Sequence, residues 1–187
     1  MSFFSSATFN LVANIIVSKA KFSALLKDLN ESLNLSQEMI DKVNSITFNY
    51  PKSIGLKEDY LYEVLATTFS INNNNIIPNT ACMGIRLIDN SSIKLRPYPN
   101  TSTYKNLRSN KLITLNFVDD IFLYALASLK DFKRSKSIKI FPEEFYDYYK
   151  IKNKEIIKEV FKNHPSSEMV SLPYIKQAWA MLACVAM

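Results

Sequence analysis

The sequence predicts an α+β fold that is mostly β, with a small closed barrel preceded by an N-terminal helical hairpin. From Tyr60 onward, β-branched and aromatic runs alternate with clusters of Asn, Asp and Ser, a pattern typical of strands joined by turns. Before Pro51, apolar residues instead recur at helical spacing. Meandering strands with an inserted helix favour a closed barrel over a parallel α/β sheet.

The spacing of apolar side chains predicts the two N-terminal helices. Apolar residues cover most sides of a helix over 8–29, so this helix needs packing partners in nearly every direction. A serine N-cap begins a second helix over 36–48, which ends before Pro51 because proline disfavours helical geometry in the preceding residue. We therefore predict two units, a helical hairpin over 1–52 and a barrel domain over 60–187.

The barrel domain divides into elements at its turn residues. The asparagine run at 72–75 tolerates left-handed geometry and predicts a hairpin between strands over 60–71 and 76–88. The last predicted strand reaches the end of the chain, so other residues must cover its edge. The remaining predicted elements are a strand over 93–96, a helix over 101–109, a buried strand over 112–117, a helix over 121–129, a helix over 142–162 and a strand over 178–187.

Length and composition exclude several classes of protein. The 187 residues suit one domain with a sizeable core, and 48% apolar residues are enough for the chain to collapse. With only two glycines, Gly55 and Gly84, the Walker and dinucleotide-binding fingerprints cannot be built. One histidine and two cysteines cannot supply a His/Cys zinc cage, so we predict no metal site.

The formal charge of +6 arises entirely in the later part of the chain. Residues 1–59 hold six Lys/Arg and six Asp/Glu, whereas residues 60–187 hold seventeen and eleven. Such a surface favours an anionic ligand, although a solvated lysine-rich face is an equally good explanation. Two distant cysteines and the lack of an apolar targeting or membrane-spanning segment predict a cytoplasmic protein with no membrane partner.

Two local features suggest a ligand site. Gly84 is a lone glycine within a strand, which indicates either close approach by a ligand or a β-bulge. Thr101, Ser102 and Thr103 begin a helix, where hydroxyls and free N–H groups favour an anion, although an ordinary N-cap is the competing explanation. Arg86 lies on a flanking strand.

Several motifs in a fixed order resemble domain-of-unknown-function family 447, largely archaeal proteins with the FMN-binding split-barrel fold. The resemblance covers residues 60–187, and the segment 172–180 looks like that family's next barrel strand. The motifs are Met83-Gly84-Ile85-Arg86, Thr101-x-Thr103-Tyr104-x-Asn106-Leu107, Leu115-Asn116-Phe117-x-Asp119-Asp120 and Leu172-Pro173-Tyr174-Ile175-Lys176-x-Ala178-Trp179-Ala180.

The resemblance implies a homodimeric flavoprotein with FMN between the subunits. We therefore expect an oxidoreductase or electron-transfer protein of unknown substrate, with a nicotinamide cofactor as a candidate electron donor, and we name no catalytic residue. In the family a further strand and a helical segment follow, and we expect the N-terminal helices to take the place of that helical segment unless the chain is truncated. The implied FMN contacts are Thr101, Ser102, Thr103 and Asn106 for the phosphate, Ala81, Cys82, Met83 and Gly84 along the ring, Asn116 nearby, and Arg86, which could instead pair with a surface carboxylate.

Two other functions remain open on the sequence. A basic β-barrel could bind single-stranded nucleic acid, although we expect nucleic acid less than FMN, and an interaction protein that has lost its flavin would be colourless. Cys82 could be a redox thiol or a small core residue. The nucleic-acid hypothesis uses five aromatic side chains as stacking faces, those of Tyr60, Tyr62, Phe69, Tyr98 and Tyr104.

Overall fold

The structure, a computed structural model, describes residues 8–17, 47–48, 54–72, 75–89, 92–129, 141–151 and 170–187. Within these ranges the fold is mostly β. Its elements are β1 (Phe9–Val17), β2 (Thr47–Phe48), β3 (Leu61–Asn72), β4 (Asn75–Leu87), β5 (Ser92–Leu95), α1 (Ser102–Asn110), β6 (Leu112–Phe117), α2 (Ile121–Leu129), a 3-10 turn (Glu143–Phe145), β7 (Tyr146–Ile151), β8 (Val170–Ile175) and β9 (Ala180–Ala186).

Six antiparallel strands close into a barrel in the order β1, β5, β4, β3, β6, β9. The barrel closes because β1 pairs with β5 near its start and with β9 along the rest of its length, from Leu11 opposite Ala186 to Val17 opposite Ala180. β2 adds two residues to the free part of β1. The predicted closed barrel is therefore confirmed, and β1 covers the edge of β9 that the sequence leaves without a partner.

The helix predicted over 8–29 is wrong in its first half, because Phe9–Val17 is strand β1. This segment is rich in Val and Ile, which favour a strand as soon as neighbouring strands are available. Thr47–Phe48, the predicted end of the second helix, is strand β2. The rest of the predicted helical hairpin lies outside the described residues.

Alternation along each strand sends one set of side chains into the barrel. Interior residues of β3, β4 and β6 include Val64, Ile85 and Leu115, all at most 1% exposed. Leu107 of α1 packs into the same core and so closes one end of the barrel. This packing fixes α1 against the strands that carry the predicted site.

The outer face of β3, β6 and β9 is covered by the β7–β8 hairpin, and α2 packs on β4. The helix predicted over 142–162 is wrong over 146–151, which is β7. Pro142 caps only one 3-10 turn, after which Tyr146 becomes extended and its strand pairs with β8. β8 occupies part of the segment expected as a barrel strand, so the next barrel strand begins only at Ala180.

No helix within the described ranges combines the length and apolar character needed to cross a membrane.

Candidate functional site

Among the described residues, the wall of the barrel is open along one edge of β4. On β4, β5 pairs only with Ile85–Leu87, and no other described strand pairs with the same edge between Asn75 and Gly84. The inward-facing side chains of β4 become more exposed beyond the end of this pairing. Ile85 is buried, whereas Met83 and Ala81, which face the same way further along β4, are half-buried. The opening therefore exposes apolar side chains that a continuous barrel wall would cover.

The start of α1 lies beside this opening. Thr103 Oγ1 accepts a hydrogen bond of 3.2 Å from Asn79 Nδ2 on β4, and Asn106 Nδ2 donates a bond of 3.1 Å to Thr68 Oγ1 on β3. Thr103 and Asn106 are almost completely buried. Their side chains are thus engaged in fixing the helix to the β3–β4 hairpin.

The N-terminus of α1 keeps donors available for an anion. Thr101 Oγ1 accepts from the backbone N–H of Tyr104 at 3.3 Å and donates to the carbonyl of Tyr98 at 2.7 Å, which confirms its role as the N-cap. The N–H groups of Ser102 and Thr103 have no acceptor in the described parts of the chain. The first turn carries no acidic residue, so the helix dipole favours a negative ligand there.

Gly84 does not form a β-bulge. The β3–β4 register runs through Glu63 opposite Gly84 without interruption, and Gly84 has no positive φ. A Cβ at this position would lie 3.0 Å from Cδ1 of Leu61, the far end of an exposed and flexible side chain. Close approach at Gly84 is therefore made by Leu61 on the outer face of the sheet.

Cys82 also lies on the outer face of β4, where α2 covers it. Its thiol donates to the carbonyl of Tyr124 at 3.4 Å and lies 3.0 Å from Ser128 Oγ. The Tyr124 hydroxyl donates to the carbonyl of Glu63, and burial, followed by the charges of Cys82, Glu63 and Asp119, raises the pKa of Tyr124. Of the four ring-contact residues implied by the resemblance, only Ala81 and Met83 face the opening.

Asn116 belongs to a buried polar network on the other side of the sheet. Its Nδ2 donates to the carbonyl of Leu65 at 2.7 Å, and its Oδ1 accepts from the N–H of Ile175 at 2.9 Å. The network continues from Thr67 Oγ1 to Thr80 Oγ1 and on to the hydroxyl of Tyr146, at 2.8 Å in each step. Asn116 therefore joins β6 to β3 and β8 rather than facing the opening.

The sequence signal for this network is the presence of Thr114 and Asn116 in a strand predicted to be buried. Both side chains are fully buried, and Thr114 Oγ1 donates to the carbonyl of Pro173 at 2.7 Å. Buried polar groups require hydrogen-bonding partners, so alternate polar residues in such a strand indicate a second layer carrying those partners.

The predicted stacking aromatics do not share one exposed face. Phe69 is completely buried in the core beneath the β7–β8 hairpin. Tyr104 stacks edge-on against Phe9 with ring centroids 5.8 Å apart, whereas Tyr60 and Tyr98 are exposed. Phe69 is therefore not accessible as one of the stacking faces that the nucleic-acid hypothesis requires.

A comparison with models of protein families matches residues 62–176 to the N-terminal domain of the proteins of unknown function DUF447. The chain belongs to this family. The DUF447 match begins in β3 and ends just after β8, so it contains β4, α1 and the opening between them. β1 and β9, the two strands that close the barrel, lie outside the match. No curated protein matches the chain.

Proposed function

We propose that this protein is an FMN-binding flavoprotein of the split-barrel type that acts in oxidation–reduction or electron transfer. The observation that carries the proposal is the opening along β4, which has the N-terminus of α1 beside it. Half-buried Ala81 and Met83 offer an apolar surface to a flat ring, and the first turn of α1 offers donors to a phosphate. One ligand that combines a flat ring with a phosphate would use both features.

The polar contacts of α1 divide its residues into two groups. The hydroxyl of Ser102 and the N–H groups of Ser102 and Thr103 are available for the phosphate. Thr101, the Thr103 side chain and Asn106 hold the helix in position through their bonds to Tyr98, Asn79 and Thr68. When bound, the flavin itself would supply the redox chemistry, and these residues would orient it.

A second copy of the chain is the proposed partner. Unpaired strand edges invite association, and β4 has such an edge between Asn75 and Gly84 within the described structure. A homodimer with FMN at the interface would cover both the edge and the ring. Cys82 and Cys184 are not joined in a disulfide, which suits the reducing cytoplasm that we propose as the location, with a nicotinamide cofactor as the electron donor.

The visible absorption spectrum of the purified protein tests the proposal, before and after FMN is added and the unbound excess is removed. Retained flavin absorbance is the expected result. Absence of retained flavin under both conditions would overturn the proposal and favour the interaction protein that has lost its ligand.

The variant Ser102→Asp tests whether the FMN phosphate binds at the start of α1, and it is expected to do so without destabilising the fold. A carboxylate in the first turn stabilises a helix but repels a phosphate at the same N–H groups. We expect Ser102→Asp to fold at least as stably as wild type and to bind FMN at least ten times more weakly. Ser109→Ala, on the same helix but distant from its N-terminus, is the control and should bind normally. Normal FMN binding by Ser102→Asp would exclude this phosphate position.

A further inference from the structure

Two cationic side chains lie together on the outer face of β4 and β5, and a third follows directly after β5. Arg86 stands directly opposite Lys94 in the register of the two strands. The flanking residues Ile85 and Leu95 are buried in the barrel, so Arg86 and Lys94 point outward. Arg96 follows two residues after Lys94 and is exposed. Strand geometry places Arg86 and Lys94 about 5 Å apart across the pair, and Arg96 follows directly after the end of β5.

This arrangement is costly without an anion. Like charges directly opposite each other on neighbouring strands destabilise a sheet. Within the described ranges, the side chains of Arg86, Lys94 and Arg96 form no ion pair or hydrogen bond. Glu63 lies diagonally across from Arg86 and does not pair with it either. The three cations are therefore available to a negatively charged ligand.

The cluster is compact and has neutral neighbours in its register. Leu61 is the partner of Arg86 on β3, and Asn10 is the partner of Lys94 on β1. A groove for single-stranded nucleic acid needs positive charge along several nucleotides. A cluster limited to two strands instead fits one or two adjacent phosphate groups.

An exposed aromatic side chain follows the cluster. Tyr98 lies two residues beyond Arg96 and is 63% exposed. Its carbonyl accepts hydrogen bonds from the N–H and the hydroxyl of Thr101, which fix the backbone of this segment. An exposed aromatic ring on a backbone held in this way, two residues from a cation, is suited to stack on a base.

We propose that Arg86, Lys94 and Arg96 bind the diphosphate of a nucleotide, with Tyr98 against its base. This site lies on the outer face of the sheet, whereas the proposed FMN site uses the inward face of β4 and the start of α1. The nucleotide is either a free nucleoside diphosphate or one half of a nicotinamide dinucleotide. The second source would deepen the proposed function by making this surface the docking site of the electron donor.

Calorimetric titration of the whole protein with ADP tests the site. We expect ADP to bind at least ten times more tightly than AMP, and Arg86→Gln and Arg96→Gln each to weaken ADP binding at least tenfold. Lys150→Gln removes one exposed positive charge from β7 and should change the affinity less than twofold. An equal loss in Lys150→Gln, or no ADP binding by the wild type, would overturn the site.

Further titrations identify the source of the diphosphate and separate this site from the FMN site. NADH binding at least ten times more tightly than ADP supports the dinucleotide, and equal affinities support the free nucleotide. An oligothymidylate that binds and that ADP cannot displace would overturn the proposal in favour of nucleic acid. If Arg86→Gln no longer retained FMN and ADP competed with FMN in the wild type, the cations would bind the flavin phosphate, and the separate nucleotide site would be overturned. ADP binding by a protein that retains no FMN would refute the proposed function alone.

Discussion

Asn116 on β6 and Ile175 on β8 are joined by a buried hydrogen bond of 2.9 Å, in which the N–H of Ile175 donates to Asn116 Oδ1. Nδ2 of the same Asn116 side chain donates to the carbonyl of Leu65 on β3. One side chain thus connects two barrel strands to the hairpin that covers them. The hydrogen bond from Thr114 to the Pro173 carbonyl is a second buried link between β6 and β8.

Asn116→Ala is expected to destabilise the protein by about 3 kcal/mol, because it leaves the Leu65 carbonyl and the Ile175 N–H buried without their partner. Chemical denaturation followed by circular dichroism measures the loss. Asn10→Ala, at an exposed position on β1, is the control and should change stability by less than about 0.5 kcal/mol. If Asn116→Ala were equally mild, the buried network would not hold the hairpin.

Leu11→Ala tests the closure of the barrel by β1. Leu11 is fully buried in the barrel core and pairs with Ala186. We expect the substitution to cost about 3 kcal/mol of unfolding free energy, as cavities in well-packed cores do. Thr8→Ala, at an exposed position before the strand, should be close to wild type. Near-wild-type stability of Leu11→Ala would argue against β1 as an essential barrel strand.

Tyrosines with raised pKa values make stability sensitive to alkaline pH. Burial, together with the hydrogen bond donated to Asp147 Oδ2 at 3.0 Å and the charge of Asp147, raises the pKa of Tyr174 to about 12. Burial raises the pKa of Tyr146 as well. The unfolded chain releases these protons near pH 10 and the folded chain later, so their contribution is complete below pH 10 and is lost above it.

Unfolding free energies measured between pH 9 and pH 12 test this pH dependence. We expect the wild type to lose stability as the pH rises above about 10. Tyr174→Phe should show a shallower decline, while Tyr98→Phe, at an exposed position, should follow the wild type. A slope in Tyr174→Phe equal to that of the wild type would refute the assignment.

The two cysteines are expected to differ in reactivity towards a thiol reagent. Cys184 is enclosed in the barrel core, and burial raises the pKa of its thiol, so the reactive thiolate is suppressed. Cys82 is only partly buried beneath α2. We expect one thiol per native chain to react quickly, two in denaturant, and none quickly in Cys82→Ser. Equal reaction of both native thiols would show that the core opens more readily than this packing implies.

Local pattern was sufficient for the elements from β3 to α2. β3 ends at Asn72 and β4 begins at Asn75, within the Asn run, and Thr101 caps α1, as the hydroxyl residues at the start of this helix predict. β5, β6 and α2 also lie where their patterns place them. In each case neighbouring residues decide the structure, because turn geometry and capping act within a few positions.

Local pattern did not distinguish a helix from a strand where pairing with a distant segment determines the structure. Residues 9–17 are apolar on nearly every side, which fits a buried helix and a buried strand equally well until β9 is present to pair with them. Tyr146–Ile151 follows a proline that suits a helix start, but pairing with β8 makes it a strand.

For the candidate site, too, the sequence predicted some features and the tertiary structure determined others. By itself the sequence determined a barrel with a capped helix, a hydroxyl-rich helix start and a basic later part. Only the tertiary structure decided that Asn116 supports the hairpin, that Cys82 lies beneath α2, and that Ala81 and Met83 face an opening. The physical reason is that strand pairing joins residues far apart in the chain, and the end of the β4–β5 pairing decides which side chains stay uncovered.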